Sequence, residues 1–352
     1  MTQTTILTPE DIRGAQLVEP NTRERDLAEK LGITEASLVA ANVGGYAKAI
    51  QSHPDQIMGA AQKLGEVMAL TRNVSCVHEK IGVYENYHTG HHAAMVLTED
   101  IDLRIFPSHW QHAFMVERPM ETGVRRSLQV FDAAGDAVHK IFVREDGLDE
   151  TWQGIGADLA LEEQATQLDL SPRQPPEAPK SDITKLDILR KEWTRMTDTH
   201  QFMRLTSKLK MNRLGAYRIA GEPFARRLDP EAAKKMLHDV QDVGIEVMLF
   251  VGNRGCIQIH TGPLDTLKPM GPWENVLDPR FNLHLRRDHI AEVWAVDKPT
   301  QRGPAVSVEA FDARGMLIFQ VFGVGKEGRD SRPAWRSLVD ALPTAEQELP
   351  AQ

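Results

Sequence analysis

The sequence predicts an α+β fold made by tandem duplication, each half having N-terminal helices followed by a large, mainly antiparallel β-sheet. Three observations predict it. The 352 residues exceed the usual size of one hydrophobic core, which favours two domains. The chain aligns with itself at a shift of 180 residues. Short β-rich segments follow one another in each half without helices long enough to connect parallel strands.

The duplication is clearest between Glu66 and Phe142, where the shifted alignment contains 19 identities without a gap. About 5 would be expected from ordinary composition. We therefore predict a first repeat at 1–165, a proline-rich linker at 166–182 and a second repeat at 183–352. A residue shared by both copies is expected to serve the fold, whereas a residue found in one copy is a candidate for a site.

Each predicted sheet follows helical sequence. The helical patterns cover 21–31, 34–41 and 54–64 in the first half, and 182–209 and 230–243 in the second. The strands predicted in the first half cover 67–70, 103–106, 113–116, 128–131 and 138–143. Glycine-containing hairpin turns are expected at 132–135 and 312–315. The helices are expected to pack on one face of each sheet.

Composition excludes several function classes. A formal net charge of −9 argues against an extended nucleic-acid surface but leaves room for a local basic pocket for a small acidic ligand. Two cysteines, Cys76 and Cys256, are too few for a disulfide framework and fall on equivalent positions, which predicts buried structural residues. No apolar stretch is long enough for membrane insertion, and the N-terminal sequence lacks a signal peptide, which predicts a cytoplasmic protein.

Two groups of histidines are candidates for chemistry. His88, His91 and His92 occur only in the first copy, and a non-haem metal enzyme is one interpretation of them. Adjacent histidines point to opposite faces of a strand, however, so an exposed loop is favoured. His200 is also copy-specific, and Asp198 with Gln201 resembles a capping box that places it in the first turn of a helix. The positive end of a helix favours neutral imidazole, the form that ligates iron, although a histidine packed against its own helix remains the alternative.

Long segments of both halves strongly resemble the cytoplasmic hemin-degrading factors, also called haem-transport proteins, over about residues 20–340. The segments that carry the resemblance are 71–85, 101–106, 108–114, 193–202, 212–217 and 291–299. This family has two tandem repeats, which agrees with the duplication found above. The resemblance implies two large antiparallel sheets flanked by helices, and a haem b ligand held by the second half.

The resemblance also implies roles for particular residues. His200 corresponds to the proximal ligand of the haem iron, and Arg104 to a distal, catalytic arginine. Phe106 would pack against the macrocycle, and Arg213 and Lys298 would meet the haem propionates. The residues alone leave other interpretations open: Arg104 in a strand salt bridge, Phe106 in the core, and Arg213 and Lys298 as surface charges.

Two departures from the family pattern are visible. Leu214 stands where many members have glutamine. The segment 322–326 lacks the tyrosine and arginine that members often have near the end of the second sheet, so Lys326 is a candidate replacement for a propionate contact.

The function that the resemblance implies is haem binding with oxidative haem degradation, giving ring opening and iron release after haem import. Such a reaction requires O2 and a source of electrons. The electrons are expected to come from an external reductant, because the chain has no dinucleotide-binding fingerprint. The alternative is a haem chaperone that passes imported haem to a separate haem oxygenase. Expected partners are therefore haem and, at the protein level, a haem importer, a reductase or a haem oxygenase.

Overall fold

The computed structural model describes residues 7–345, which form two compact units. Within those residues, the first unit contains the chain up to Arg72, then Glu79–Gln174 and Gly252–Gln258; the second contains Asn73–His78, Pro175–Val251 and the chain from Ile259 onward. Each unit therefore includes one short segment from the opposite half of the sequence. The first six and last seven residues of the predicted repeats lie outside the described residues.

The helices and strands of the two halves follow in chain order. The helices of the first half are Pro9–Val18 (α1), Glu24–Leu31 (α2), Glu35–Ala40 (α3), Pro54–Gln62 (α4) and Asp149–Leu159 (α5). The strands of the first half are Ala47–Ile50 (β1), Glu66–Arg72 (β2), Cys76–Val83 (β3), Tyr87–His88 (β4), Ala94–Leu97 (β5), Asp102–Ile105 (β6), His112–Pro119 (β7), Val124–Phe131 (β8) and Ala137–Val143 (β9). The helices of the second half are Leu186–Thr194 (α6), Gln201–Lys208 (α7), Arg213–Ala220 (α8), Ala232–Val243 (α9) and Arg332–Asp340 (α10). The strands of the second half are Ala225–Leu228 (β10), Val247–Gly252 (β11), Cys256–Gly262 (β12), Leu267–Met270 (β13), Trp273–Leu277 (β14), Phe281–Arg286 (β15), Glu292–Lys298 (β16), Ala305–Phe311 (β17), Leu317–Gly323 (β18), Gly325–Lys326 (β19) and Arg329–Asp330 (β20).

Each unit has the same strand order. In the first unit the order is β1-β7-β8-β9-β2, with β4, β5 and β6 forming a further antiparallel run. In the second it is β10-β16-β17-β18-β11, with β13, β14 and β15 as the corresponding run. All of these pairings are antiparallel, and the register shifts at equivalent places, Val130/Phe131 and Ala310/Phe311. The predicted α+β duplication with antiparallel sheets is confirmed.

The sheets are covered by helices on both faces, which corrects the expectation of one covered face. On β16, Val293 and Ala295 pack in a core with α9 and α10, whereas Trp294 and Val296 pack in a separate core with α6, α7 and α8. Side chains alternate between the two faces of a strand, so these cores lie on opposite sides of the sheet. Both faces of β16 are buried, so its sequence lacks the regular alternation of polar and apolar residues that is typical of a half-exposed strand.

The hairpin turns match the prediction. Gly135 and Gly315 have φ values of +80° and +83°, a region that favours glycine. In each turn the first aspartate accepts two backbone N–H bonds: Asp132 from residues 134 and 136, and Asp312 from residues 314 and 316. The shared sequence therefore specifies a shared turn.

The helical sequence predicted at 182–209 is not one continuous helix, in keeping with the separate helix start predicted near His200. The chain instead forms a short 3₁₀ turn at Ile183–Lys185, then α6, an irregular turn over 195–200, and α7. In this turn the Gln201 side chain accepts the backbone N–H of Thr197, and the Asp198 side chain accepts the backbone N–H of His200, which offers the chain an alternative to helix. The break places His200 at the start of a new helix.

Both cysteines are free and buried, as predicted. Cys76 lies in the core of the second unit and Cys256 in the core of the first. Across residues 7–345, none of the helices has the length and apolar character required to cross a bilayer.

Candidate functional site

His200 lies at the start of α7 with its side chain 91% exposed. Its Nδ1 lies 2.7 Å from Oδ1 of Asp198, and the same oxygen accepts the backbone N–H of His200 at 2.7 Å. The backbone bond and then the ring bond hold the pKa of Asp198 below its usual value. Because Asp198 occupies Nδ1, the nitrogen that His200 presents to a ligand is Nε2.

The turn before α7 is fixed by a reciprocal pair of bonds between Thr197 and Gln201. The Thr197 N–H donates to Oε1 of Gln201 at 2.9 Å, and Nε2 of Gln201 donates to the Thr197 hydroxyl at 3.1 Å. The predicted Asp198–Gln201 capping box is therefore wrong, since Gln201 pairs with Thr197 and Asp198 bonds to His200. Helix α7 then buries Phe202 and Leu205 in the unit's helical core.

A buried charge cluster lies within the same unit, where α8 packs on β16 and β17. Glu309 is fully buried, and its Oε2 accepts bonds from Arg213 Nη1 and the Tyr217 hydroxyl, both at 2.9 Å. Its Oε1 accepts bonds from Lys298 Nζ at 2.8 Å and the Ser307 hydroxyl at 2.9 Å. Arg213 and Lys298 therefore both bind the same buried carboxylate. They are not the two separate surface charges that the sequence left open as an alternative.

The cluster carries two cations for one carboxylate. Burial opposes ionisation of Glu309, but Lys298 and then Arg213 outweigh it and hold the pKa of Glu309 well below its usual range. Burial lowers the pKa of Lys298, and the charge of Glu309 opposes that change. With Lys298 and Arg213 both protonated, one positive charge remains without a counter-charge inside the cluster.

Arg213 connects this cluster to the surface near His200. Its side chain is 23% exposed, and its Nη2 lies 3.6 Å from Sδ of Met203, which is exposed. Met203 follows His200 by three residues on α7, a spacing that puts two side chains on one helix face. Lys298 lies deeper, 3% exposed, with Nζ 2.9 Å from the Tyr217 hydroxyl.

The other predicted site residues lie elsewhere in the fold. In the first unit, Arg104 on β6 forms an ion pair with Asp102, and Phe106 is half-buried just after that strand. In the second unit, Lys326 is exposed on the β19–β20 hairpin, where its charge helps to lower the pKa of Glu246, after the larger effect of Arg329. The structure thus brings Arg213 and Lys298 together beside α7, and puts Lys326 on a separate hairpin.

The histidine cluster of the first copy lies in an exposed segment, as the favoured interpretation predicts. His88 ends β4, whereas His91 and His92 lie in the bend that follows. Their rings meet edge to face, with the two Nδ1 atoms 3.4 Å apart. Over residues 7–345 no group of three or more His, Cys, Asp or Glu side chains is arranged to hold a metal ion.

Glu309 and Tyr217 were not among the site residues predicted from the sequence. One signal was available for Glu309: it is a single acid within the apolar strand β17, and the 180-residue shift pairs it with Gln129 in the first copy. A buried, copy-specific carboxylate requires cations nearby. Nothing in the spacing of Tyr217 distinguishes it from an ordinary core aromatic.

Comparison with known proteins gives consistent matches over both halves. The family model described as a haemin-degrading HemS.ChuX domain matches residues 32–159 and 210–342. The chain is 39% identical to the hemin transport protein HmuS of Yersinia pestis over 331 residues, covering 93% of this chain and 95% of that protein. Among solved structures, the haem-loaded heme-binding protein PhuS of Pseudomonas aeruginosa superposes with a TM-score of 0.90 at 38% identity, covering 96% of this chain and 100% of that one. ChuS of Escherichia coli, described as a heme oxygenase, superposes with a TM-score of 0.83 at 32% identity, covering 93% and 98% of the two chains.

Proposed function

The chain belongs to the haemin-degrading HemS.ChuX family, and from this premise we propose that it binds haem through His200 as the axial ligand of the iron. The observation that carries the proposal is the state of His200. Its imidazole is exposed and Asp198 engages Nδ1, so Nε2 is the ring nitrogen available to a ligand. Neutral imidazole with its second nitrogen bonded is the usual form of a histidine that ligates iron.

The residues around His200 fit a flat, apolar ligand that carries carboxylates. Met203 provides an exposed apolar surface on the same helix face. Nη1 of Arg213 donates to Glu309, whereas Nη2 lies beside the sulfur of Met203. The guanidinium therefore has further N–H donors for a ligand carboxylate. The uncompensated positive charge of the cluster favours an anion. Lys298 is buried, so we propose that it does not contact the haem directly. It holds Glu309 in place through their hydrogen bond, and its positive charge favours a carboxylate near Arg213.

Three further assignments rest on the family resemblance alone. Arg104 is proposed as the distal residue, Phe106 as a contact of the macrocycle, and Lys326 as a propionate contact. Arg104 has to leave or share its ion pair with Asp102 in order to act on a ligand. The exposed position of Lys326 is compatible with contact to a carboxylate at the edge of a site.

We propose that the bound haem is then degraded oxidatively, as substrate, with ring opening and iron release in the cytoplasm after import. The haem iron and O2 supply the oxidising chemistry, and an external reductant supplies the electrons. The residues of this chain bind and orient the haem: His200 by ligation and Arg213 by charge pairing. The matched E. coli protein described as a heme oxygenase supports this proposal.

A second function, delivery of haem to a separate haem oxygenase, is favoured by a specific observation. Arg104 is engaged by Asp102, and an arginine held in this way is less available to a distal ligand. The matched proteins named for hemin transport support the same alternative.

The test of haem ligation is a hemin titration of the full chain and of His200→Ala, followed by absorption spectroscopy. We expect one tightly bound haem per chain, and a Soret band that shifts or collapses in the variant. The control is His92→Ala, which removes an exposed histidine from the first unit. An unchanged spectrum and affinity in His200→Ala would contradict the proposal.

A further inference from the structure

We propose that Asp198 is a positioning residue for His200, which fixes the ring orientation and the Nδ1–H tautomer and gives the bound imidazole partial anionic character. This inference rests on the proposed function, because it assigns a role to the residue behind the iron ligand. Asp198 itself is not assigned to contact the haem.

The geometry restricts the imidazole. One carboxylate oxygen, Oδ1, lies 2.7 Å from both the ring Nδ1 and the backbone nitrogen of His200. An ionised carboxylate only accepts hydrogen bonds, so the ring nitrogen facing it carries the proton. In the neutral ring the lone pair is then on Nε2, which is the form that a metal ligand requires. The same contact orients the ring about its side-chain torsions, because the backbone bond holds the carboxylate in place.

The turn that holds Asp198 is itself fixed. The reciprocal Thr197–Gln201 bonds close the chain around residue 198, and α7 is anchored by the buried Phe202. The carboxylate is therefore held by backbone and side-chain contacts on both sides in sequence. The Thr197 carbonyl also accepts the Gln301 N–H at 2.9 Å, which ties the turn to the loop between β16 and β17.

The exposure of the pair decides how strong the effect is. Without a ligand, the His200 side chain is 91% exposed and Asp198 is 58% exposed, so water competes for the bond between them. A ligand that covers the imidazole removes that water, and a hydrogen bond in a low-dielectric setting is stronger. The bond therefore has its greatest influence in the loaded protein.

A carboxylate behind a ligating histidine raises the basicity of the imidazole, and loss of such a partner typically weakens metal binding about 10- to 100-fold. A more basic axial ligand stabilises ferric over ferrous iron. We therefore expect Asp198→Asn to give a more positive midpoint potential of the bound haem, and an affinity for hemin about 10-fold weaker.

The experiment separates orientation from charge with two variants. In the haem-free protein, ¹⁵N NMR of the His200 ring under alkaline conditions reports its tautomer. We expect the Nδ1–H form in the unmodified chain and in Asp198→Asn, which keeps an acceptor, and loss of that preference in Asp198→Ala. In the loaded protein, spectroelectrochemistry of Asp198→Asn should show the positive shift in potential.

The matched control is Asp187→Asn, which removes an equal charge from the exposed face of α6. If both variants shift the potential equally, the effect is one of general surface charge and the inference is wrong. It is also wrong if Asp198→Ala leaves the tautomer unchanged. Failure of the proposed function has a different result: there, His200→Ala leaves the haem spectrum unchanged, whatever the tautomer of the free protein.

Discussion

The buried imidazole of His139, in the first unit, is the clearest case in which one residue links pH to stability. It shares hydrogen bonds with the Thr71 hydroxyl at 2.8 Å and with the Tyr84 hydroxyl. Burial lowers the pKa of His139 to about 3. The side chain is therefore neutral in the folded protein throughout the physiological range.

The pKa of His139 predicts an acid-dependent loss of stability. An unfolded chain takes up a proton at this histidine near its ordinary value of about 6.5, whereas the folded chain does not until about 3. Stability is therefore highest above pH 6.5 and falls as the pH decreases toward 3, by up to about 1.4 kcal/mol per pH unit from this group. We expect His139→Gln to lower stability at neutral pH but to flatten this slope, as measured by denaturant unfolding between pH 4 and pH 7.

The control for His139 is His53→Gln, since His53 is exposed. This variant should keep the slope of the unmodified protein. A slope unchanged in His139→Gln would show that another group dominates the acid limb.

Arg104 distinguishes degradation from delivery. If it acts on the distal side of the haem, Arg104→Ala should leave hemin affinity within a few-fold but slow ring opening by roughly 100-fold, the scale for loss of one preorganised donor. The measurements are Soret decay with ascorbate and catalase, and haem transfer to apomyoglobin. Unchanged breakdown with faster transfer would favour the delivery function. Arg125→Ala, which removes an exposed arginine of β8, is the control.

At the scale of elements, the connection between α6 and α7 shows how far the sequence could be interpreted. The apolar spacing indicated helix on both sides, and Asp198 with Gln201 indicated a helix start near His200, but the bonds in the turn differ from the predicted capping box: Gln201 accepts the Thr197 N–H and Asp198 accepts the His200 N–H. Such bonds are short-range and compete closely with helix, so apolar periodicity does not reveal them. The buried pairing of Arg213 with Glu309 was equally hidden, because it joins residues 96 positions apart.

The proline-rich segment is tied to the start of α8 by Asn212. The Asn212 Oδ1 accepts the N–H groups of Lys180 and Gly215 at 2.9 and 3.0 Å, and its amide donates to the Ala178 carbonyl at 2.8 Å. A Cβ added at Gly215 would lie 1.9 Å from the Lys180 carbonyl oxygen. Gly215 is therefore required by the close approach of two backbones.

We expect Gly215→Ala to lower stability by about 1–3 kcal/mol, the range for overpacking against atoms that cannot move freely. It should also weaken hemin binding, because Arg213 lies two residues earlier on the same helix. The control is Gly154→Ala on α5, where an added Cβ meets nothing within 4 Å. That change should be neutral or stabilise by up to about 1 kcal/mol. Thermal unfolding of both variants tests the pair, and equal stabilities would contradict it.

At the scale of the molecule, the duplication was visible in the sequence because turns, strand positions and cysteines were kept in both copies. The assignment of each segment to a unit was not visible. Local patterns show where a strand is, but they do not show which sheet it joins. Residues 252–258 follow the second set of helices in sequence, yet they belong to the first unit.

Segment Gly252–Gln258 completes the first unit through several contacts. The Gly255 carbonyl accepts the indole N–H of Trp110 at 2.9 Å, the Gln258 amide donates to the Ala69 carbonyl at 3.0 Å, and Cys256 is fully buried in the core. We therefore expect a fragment of residues 1–174 to unfold at a lower temperature than the first unit does in the whole chain. Hydrogen exchange at the indole N–H of Trp110 reports the stability of this part of the unit, and equal protection in the fragment and in the whole chain would contradict the prediction.

The same segment affects the order in which the protein matures on the ribosome. N-terminal domains commonly fold while the rest of the chain is still being made, at about 5–20 residues per second. Here the first unit has its final residues only when position 258 has been translated, although its other segments end at position 174. For roughly 4–17 s at those rates, the nascent first unit lacks Cys256 and the Gly255 carbonyl. Its apolar core is incomplete during that interval, when a chaperone or an unwanted neighbour has the opportunity to bind it.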